Sequence, residues 1–343
     1  MPDADSSHLE TFHFRDLHPF LCMGTASDRY AGWVGQIYST DRYFGRTTRR
    51  SKKVGGKNFV EEVLPVESVE EYFQHFRTLE LDFTFYNSLL GENGVPTSSF
   101  HTLQAYRKHL KNQDRLILKA PQLFFARKIR RGKAYIPNEQ YLDAQGFLER
   151  FYEPVRQLLD PWLDGIIFEQ EYQRKNERVS VRELADSLDE FFSSLPRDDR
   201  FHVELRTQGY LAKPVLAVLA KHGIGQVLSH WTWLPPLKQQ FAMGGRRFLN
   251  RSGSGVIRLM TPRGVRYQDA YRKAYPFDKL VPGMTSREMI TQTVEIMQEA
   301  LKQGIRINVI INNRSGGNAP LIAREVARQF LSMRKRGHTY FFG

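Results

Sequence analysis

The sequence predicts a closed (β/α)₈ barrel of the TIM type, on three observations. Eight strand-length apolar runs recur along 343 residues, amphipathic helical stretches lie between most of them, and no Gly-rich dinucleotide fingerprint follows the first run. Strands alternating with helices imply parallel pairing through right-handed crossovers, and eight of them satisfy a closed barrel. The open doubly wound sheet, the alternative with the same alternation, wants the missing fingerprint.

The expected strands are Phe20–Ser27, Thr78–Phe85, Arg115–Gln122, Asp164–Glu171, Phe201–Thr207, Gly225–Thr232, Gly255–Pro262 and Arg306–Asn313. Each is rich in Val, Ile, Leu or Phe, which fit a pleated, buried surface. The helical patterns are Ser68–Phe76, Gln140–Leu159, Val181–Ser193, Tyr210–Lys221, Ser286–Gln303 and Ala319–Met333, with Ser286 as a start signal and Pro320 in a first turn. There is no internal repeat and no long linker, so the chain reads as one domain, 1–343. The barrel occupies about 18–333, between a short polar lead and a basic, aromatic tail. Three connections exceed the minimal pattern. Tyr38–Leu64 carries Arg46, Arg49, Arg50, Lys52, Lys53 and Lys57 around Gly55 and Gly56 and reads as an exposed basic insertion. Trp231–Gly253 carries Trp231 and Trp233, and Thr261–Gly283 mixes Arg263, Arg266, Arg272 and Lys273 with Tyr267, Tyr271 and Tyr275.

The formal charge is +13, which favours anionic partners such as phosphates or nucleic acid. The single cysteine, Cys22, excludes an internal disulfide and a Cys-rich metal site, and its apolar run predicts a buried thiol. The first residues lack a secretory pattern and no apolar run is long enough for a membrane span, so the cytosol is the expected location. The sequence does not indicate an oligomeric state.

The chemistry is expected where barrel strands end. In the second strand Glu80, Asp82 and Thr84 share one face and alternating apolar residues the other, so the polar set should point into the barrel. In the fifth, His202, Glu204 and Arg206 share a face. Lys119, Glu169 and His230 end the third, fourth and sixth strands, Arg258 lies in the seventh, and Asn312 and Asn313 end the eighth. Buried charges must pair, so one reading is a structural lattice of Glu80 or Glu204 with Arg206 or Arg258. The functional reading makes Glu80, Asp82 and Glu204 acid–base groups. Lys119, Arg206 and Arg258 would then hold an anionic, phosphorylated or polyhydroxylated substrate that Asn312 and Asn313 orient. The reaction class stays open between hydrolase-like and lyase- or isomerase-like. No cofactor is implied; Glu80, Asp82, Glu169 and Glu204 leave room for Mg²⁺ or Mn²⁺, and histidines are too few for zinc. Ser315, Gly316, Gly317 and Asn318 precede a helix and read either as an anion-binding turn or as a tight turn with a helix cap. The basic and aromatic loops also allow a nucleic-acid-binding or nuclease-like barrel.

Several segments together resemble one known family. They are Gly24-Thr25 through Gly32-Trp33, Gly35 and Tyr38; Tyr72-Phe73 with His75-Phe76; Glu80 to Tyr86; Lys119-Ala120-Pro121; Glu204-Leu205-Arg206; Arg258-Leu259; and Ile311-Asn312-Asn313 with Gly317-Asn318-Ala319. In order and spacing they are similar to the domain of unknown function 72 family, also called YecE-like. The resemblance implies a TIM barrel without a settled activity. It places Glu80, Asp82, Tyr86, Lys119, Glu204, Arg206, Arg258, Asn312 and Asn313 at motif positions without giving them roles. Around these, Asp28, Trp33, Tyr86 and Glu169 join the expected substrate-binding set. The chain departs from the family pattern at Asp28 and Asp82, where Trp and Asn are usual, and at Phe168-Glu169-Gln170. The added acids put a substrate shared with the rest of the family in doubt.

Overall fold

A computed structural model describes residues 7–132 and 134–339. The first six residues of the polar lead and the aromatic end of the tail lie outside the described residues. In chain order the strands are β1 (Leu21–Ala26), β2 (Thr48–Val54), β3 (Lys57–Val63), β4 (Thr78–Leu81), β5 (Arg115–Lys119), β6 (Lys128–Arg131), β7 (Ala134–Pro137), β8 (Leu163–Gln170), β9 (Phe201–Leu205), β10 (Gly225–His230), β11 (Ser254–Leu259) and β12 (Arg306–Ile311). Eight of them close a parallel barrel in the order β1-β12-β11-β10-β9-β8-β5-β4. These are the eight expected strands, each within a few residues of its predicted span. β2–β3 and β6–β7 are separate antiparallel hairpins in the connections after β1 and β5.

Alternation fixes what faces in. Leu79, Leu81, Leu116, Leu118, Val203, Leu205, Ile257 and Leu259 pack outward with the surrounding helices in the main core. The inward positions stack in layers, as barrels of eight strands require. The middle layer is apolar: Ala26, Ile117, Ile167, Val227, Val256 and Ile310. The layer towards the strand starts is polar. There Asp164, skipped where β8 pairs with β5, reaches Arg306 and Asn308 of β12. Cys22 is buried as expected; burial pushes its thiol up to about 11, so it stays protonated at neutral pH.

Two differences matter for the site. The strand expected over Thr78–Phe85 ends at Leu81, and Phe83–Phe85 is a 3₁₀ turn. Thr84 therefore does not face the interior with Glu80; its hydroxyl donates to the Leu81 and Lys119 carbonyls and ties β4 to β5. The basic insertion is a docked hairpin. Glu61 is buried beneath it and accepts from the Tyr271 hydroxyl at 2.6 Å, Arg50 at 2.9 Å and Lys52 at 3.0 Å. Phe59 packs edge-on against Tyr271, and Tyr275 donates to the Val60 carbonyl. The register sets Arg49 opposite Glu62 and Arg50 opposite Glu61, so acids on β3 offset the cations of β2, and Glu61 also ties the hairpin to the helix Tyr267–Ala274 through Tyr271. Tyr267–Ala274, Ser98–Arg107 and Leu237–Met243 are helices that the sequence pattern did not single out.

Candidate active site

The site grows from β11. Arg258 points into the barrel, 1% exposed, and its guanidinium is the hub of an ion lattice. Nε donates to Glu80 Oε2 at 2.7 Å and Nη2 to Glu80 Oε1 at 2.6 Å, a two-pronged contact across the barrel to β4. Nη1 pairs with Glu204 on β9 and lies 3.8 Å from Glu169 Oε2 on β8. Glu169 in turn pairs with Lys119 on β5 and, at 2.5 Å, with Arg206 Nη1; Arg206 Nη2 reaches Glu204 at 3.2 Å. Three carboxylates meet three cations. Glu80 and Glu204 are fully buried, and each is tolerable there only because a fixed cation is in contact.

Burial and pairing act in opposite directions within this lattice. Burial disfavours charge on Glu204, yet Arg206, Arg258 and Lys119 hold its carboxyl at about 2. Burial dominates at Glu80 and raises its carboxyl despite Arg258. Burial also lowers the Lys119 ammonium, with Arg258 and Arg206 working the same way against the pull of Glu169.

The lattice opens towards the mouth. Side-chain exposure is 0% at Glu80 and Glu204, 5% at Glu169, 7% at Lys119 and 15% at Arg206. The outermost pair is backed by rings: Lys119 Nζ lies 3.8 Å from the centre of Phe85 and the Arg206 guanidinium 5.0 Å from that of Trp231. Further out stand Tyr86, Tyr172, Trp233 and Tyr267, all exposed. The Tyr86 loop is held from below. A π-helical turn at Leu148–Tyr152 accompanies an Arg150 carbonyl that accepts from Ser88 Oγ and from the Leu89 and Leu90 amides.

Asp82 sits apart from the lattice, half-buried, and carries no ion pair among the described residues. It lines a small cavity of 120 Å³ beside the β2–β3 hairpin with Ser27, Arg29, Tyr30, Arg50, Lys52 and Tyr106. Ser27 has a φ of 70°, a left-handed conformation costly for a residue with a Cβ. Asp28 is fully buried; Oδ1 accepts from Tyr106 at 2.7 Å while Oδ2 has no partner. Burial pushes its carboxyl up to about 6.

The structure therefore divides the sequence-predicted residues. It brings Glu80, Lys119, Glu169, Glu204, Arg206 and Arg258 together, with Tyr86 and Asp82 at the rim. It gives others a different task. Trp33 is fully buried and its Nε1 donates to Asn313 Oδ1 at 3.2 Å; the same oxygen accepts the Ala319 amide at 2.7 Å and caps the last helix. Asn312 Oδ1 accepts the Arg314 amide. The side-chain oxygens of both asparagines are thus engaged, while Asn313 Nδ2 is buried without a hydrogen-bond partner. Asp28 and Trp33 are sealed from the mouth. The turn Ser315, Gly316, Gly317 and Asn318 is also not an anion cradle. The Ser315, Gly316 and Gly317 amides donate to the Asn312 and Asn313 carbonyls, the Ser315 hydroxyl to Asn312, and the Asn318 side chain to Phe277. Its glycines serve close packing: a Cβ on Gly316 would lie 2.2 Å from Thr285 Oγ1. The acid–base roles expected of Glu80 and Glu204 meet a related difficulty, since both are buried under Arg258 and the surrounding cations hold the Glu204 carboxyl below the ordinary carboxylate range. Among the described residues no cluster of metal-ligating side chains is formed. Trp231 and Phe85 were not expected beside the charges; the signal was an aromatic next to a strand end, too common to single out.

A family model described as a protein of unknown function, DUF72, matches residues 22–338. The chain belongs to this family. Two solved DUF72 proteins share its fold. One, from Thermotoga maritima MSB8, aligns with a TM-score of 0.57 at 15% identity over 92% of this chain and 99% of its own. Another, from Enterococcus faecalis V583, gives 0.54 at 15% identity over 90% and 95%. No curated protein matches. Membership in DUF72 carries no activity with it, so function rests on the site. Among the described residues no helix is long and apolar enough to cross a membrane.

Proposed function

We propose that the mouth of this DUF72 barrel is the active site of an enzyme acting on a small anionic substrate, phosphorylated or polyhydroxylated. The observation that carries this reading is the exposure gradient of the lattice, closed at Arg258, Glu80 and Glu204, slight at Glu169 and Lys119, and rising to 15% at Arg206. A lattice serving stability alone gains nothing from ending in cations at a solvent-facing mouth. In this reading Glu80, Glu204 and Arg258 form a rigid floor that positions the outer three groups. Arg206 and Lys119 take the anionic group, with Trp231 fixing the plane of the Arg206 fork. Glu169 and Asp82 handle protons: Glu169 as the carboxylate at the accessible edge, Asp82 as the carboxylate without an ion pair.

The test is a thermal-shift screen of the pure protein with sugar phosphates, sugar acids and inorganic phosphate, with and without Mg²⁺ or Mn²⁺. Binding to the folded state at a hundredfold excess over Kd adds about 2.7 kcal/mol of stability. A compound that stabilises the wild type and not Arg206→Gln supports the reading and names the substrate class. Asp82→Asn should keep that stabilisation and lose turnover. Equal shifts for wild type and Arg206→Gln across the whole screen would sink it.

A further inference from the structure

The net charge of +13 is not spread over the molecule. Residues 48–63 carry +3, residues 126–141 carry +4 and residues 263–279 carry +3. All three are connections that follow barrel strands at their C-terminal ends (β1, β5 and β11), so they lie on the same face as the mouth. A charge gathered on one face makes a directed field rather than a general aid to solubility.

The placement of these segments is specific. β4 has β1 on one side and β5 on the other. The β2–β3 and β6–β7 hairpins therefore rise on either side of the loop that carries Tyr86, which is 63% exposed. On the first hairpin Lys53 and Lys57 are exposed and have no carboxylate partner among the described residues; on the second the same holds for Arg130. Lys57, Arg266, Arg272 and Lys273 line an open cleft of 630 Å³ where the hairpin tip meets the helix Tyr267–Ala274. Its one acid, Asp269, is already paired with Arg272. Interleaved with these cations are ring faces left in water. Tyr135 on β7 is 70% exposed, and Tyr172 and Trp233 stack at 5.5 Å and remain partly open.

We infer that this face binds single-stranded nucleic acid, with the phosphates running over the two basic hairpins and the cleft, and bases stacking on Tyr86 and Tyr135. Exposed ring faces set beside unpaired cations offer a base a stacking platform while its phosphate is held, the arrangement that single strands use. A duplex keeps its bases stacked inside and could use only the cations. The surface adjoins the substrate site proposed at Lys119 and Arg206 at Tyr86 but uses none of that site's charged groups, so either can fail without the other.

The experiment is fluorescence anisotropy with a labelled 16-residue oligothymidylate, the same length of oligouridylate and a duplex, each over a range of salt. Single strands should bind at least tenfold tighter than the duplex. The logarithm of affinity should fall linearly with that of salt concentration, with a slope of about −0.7 per phosphate neutralised. Lys53→Glu with Lys57→Glu, and Lys128→Glu with Arg130→Glu, should each weaken binding tenfold or more and flatten the slope by about one or more. Tyr86→Ala with Tyr135→Ala should weaken it about tenfold and leave the slope unchanged. All six positions are exposed, and an unaltered melting temperature verifies that each variant is folded. Arg206→Gln should bind the oligonucleotides as the wild type does. Duplex bound as tightly as single strand, wild-type affinity in the tyrosine variant, or binding to anionic phosphatidylserine vesicles but to neither oligonucleotide would overturn the inference.

Discussion

Replacing Arg258 with Met removes the hub of the lattice and keeps much of its volume. Glu204 then retains Arg206 at 3.2 Å, but Glu80 loses both of its short contacts and has no other ion pair among the described residues. One fully buried carboxylate is left uncompensated, which costs about 3–5 kcal/mol at neutral pH. That is a large part of the stability of an ordinary domain. The loss should depend on pH in a defined direction. Burial already raises the Glu80 carboxyl, and without Arg258 it rises further. The folded variant then binds a proton that the unfolded chain releases above about 4.5, so the variant regains stability as pH falls towards that value, by up to about 1.4 kcal/mol per unit. Urea unfolding of wild type and Arg258→Met at pH 7.5 and 5.5 measures this. Glu80→Gln combined with Arg258→Met should recover most of the loss, because no buried charge remains unpaired there. A cost under about 1 kcal/mol, or a cost equal at both pH values, would refute the argument that Arg258 is held by its carboxylates.

Three other outcomes are expected. Asp28 has a carboxyl pushed to about 6 by burial, against an ordinary 3.8. The folded state keeps a proton the unfolded chain gives up, so stability falls as pH rises through that window, by about 3 kcal/mol. Asp28→Asn should remove that fall and stabilise the protein at pH 7.5 but not at pH 4, as read by melting temperature. Asn313→Ala should cost about 2–4 kcal/mol in urea unfolding, because the Trp33 indole and the Ala319 amide lose one shared acceptor inside the protein; a cost below 1 would remove Asn313 from its capping role. Gly317→Ala should cost at least about 2 kcal/mol by the same measurement, since its φ is +111° and the new methyl would meet the Lys279 carbonyl oxygen at 2.3 Å.

The barrel was legible in the sequence because its signal is local. Each strand is short and apolar at least on its outward face, most are followed by a helical period, and a parallel sheet covered by helices requires both. The shared face of His202, Glu204 and Arg206 was legible for the same reason, since a period of two needs no knowledge of the rest of the chain; the same alternation did not carry Thr84 inward with Glu80, because β4 ends at Leu81. The irregular places were not. Nothing local shows that the second strand stops at Leu81, that Asp164 is the extra residue of β8, or that Lys128–Pro137 folds back as a hairpin, because those outcomes depend on the strand next door.

The site divides along the same line. The sequence by itself placed seven acidic and cationic candidates at or near strand ends, Glu80, Asp82, Lys119, Glu169, Glu204, Arg206 and Arg258, without deciding which of them meet. Only the tertiary structure decided that Arg258 takes Glu80 and Glu204 and leaves Lys119, Glu169 and Arg206 nearest the mouth. It alone also gave Asn312, Asn313 and the glycine turn to holding the last helix and Trp33. The physical reason is that an ion pair is a matter of a few ångströms across the barrel, between strands up to 178 residues apart in the chain, whereas a strand's alternation is written in adjacent residues.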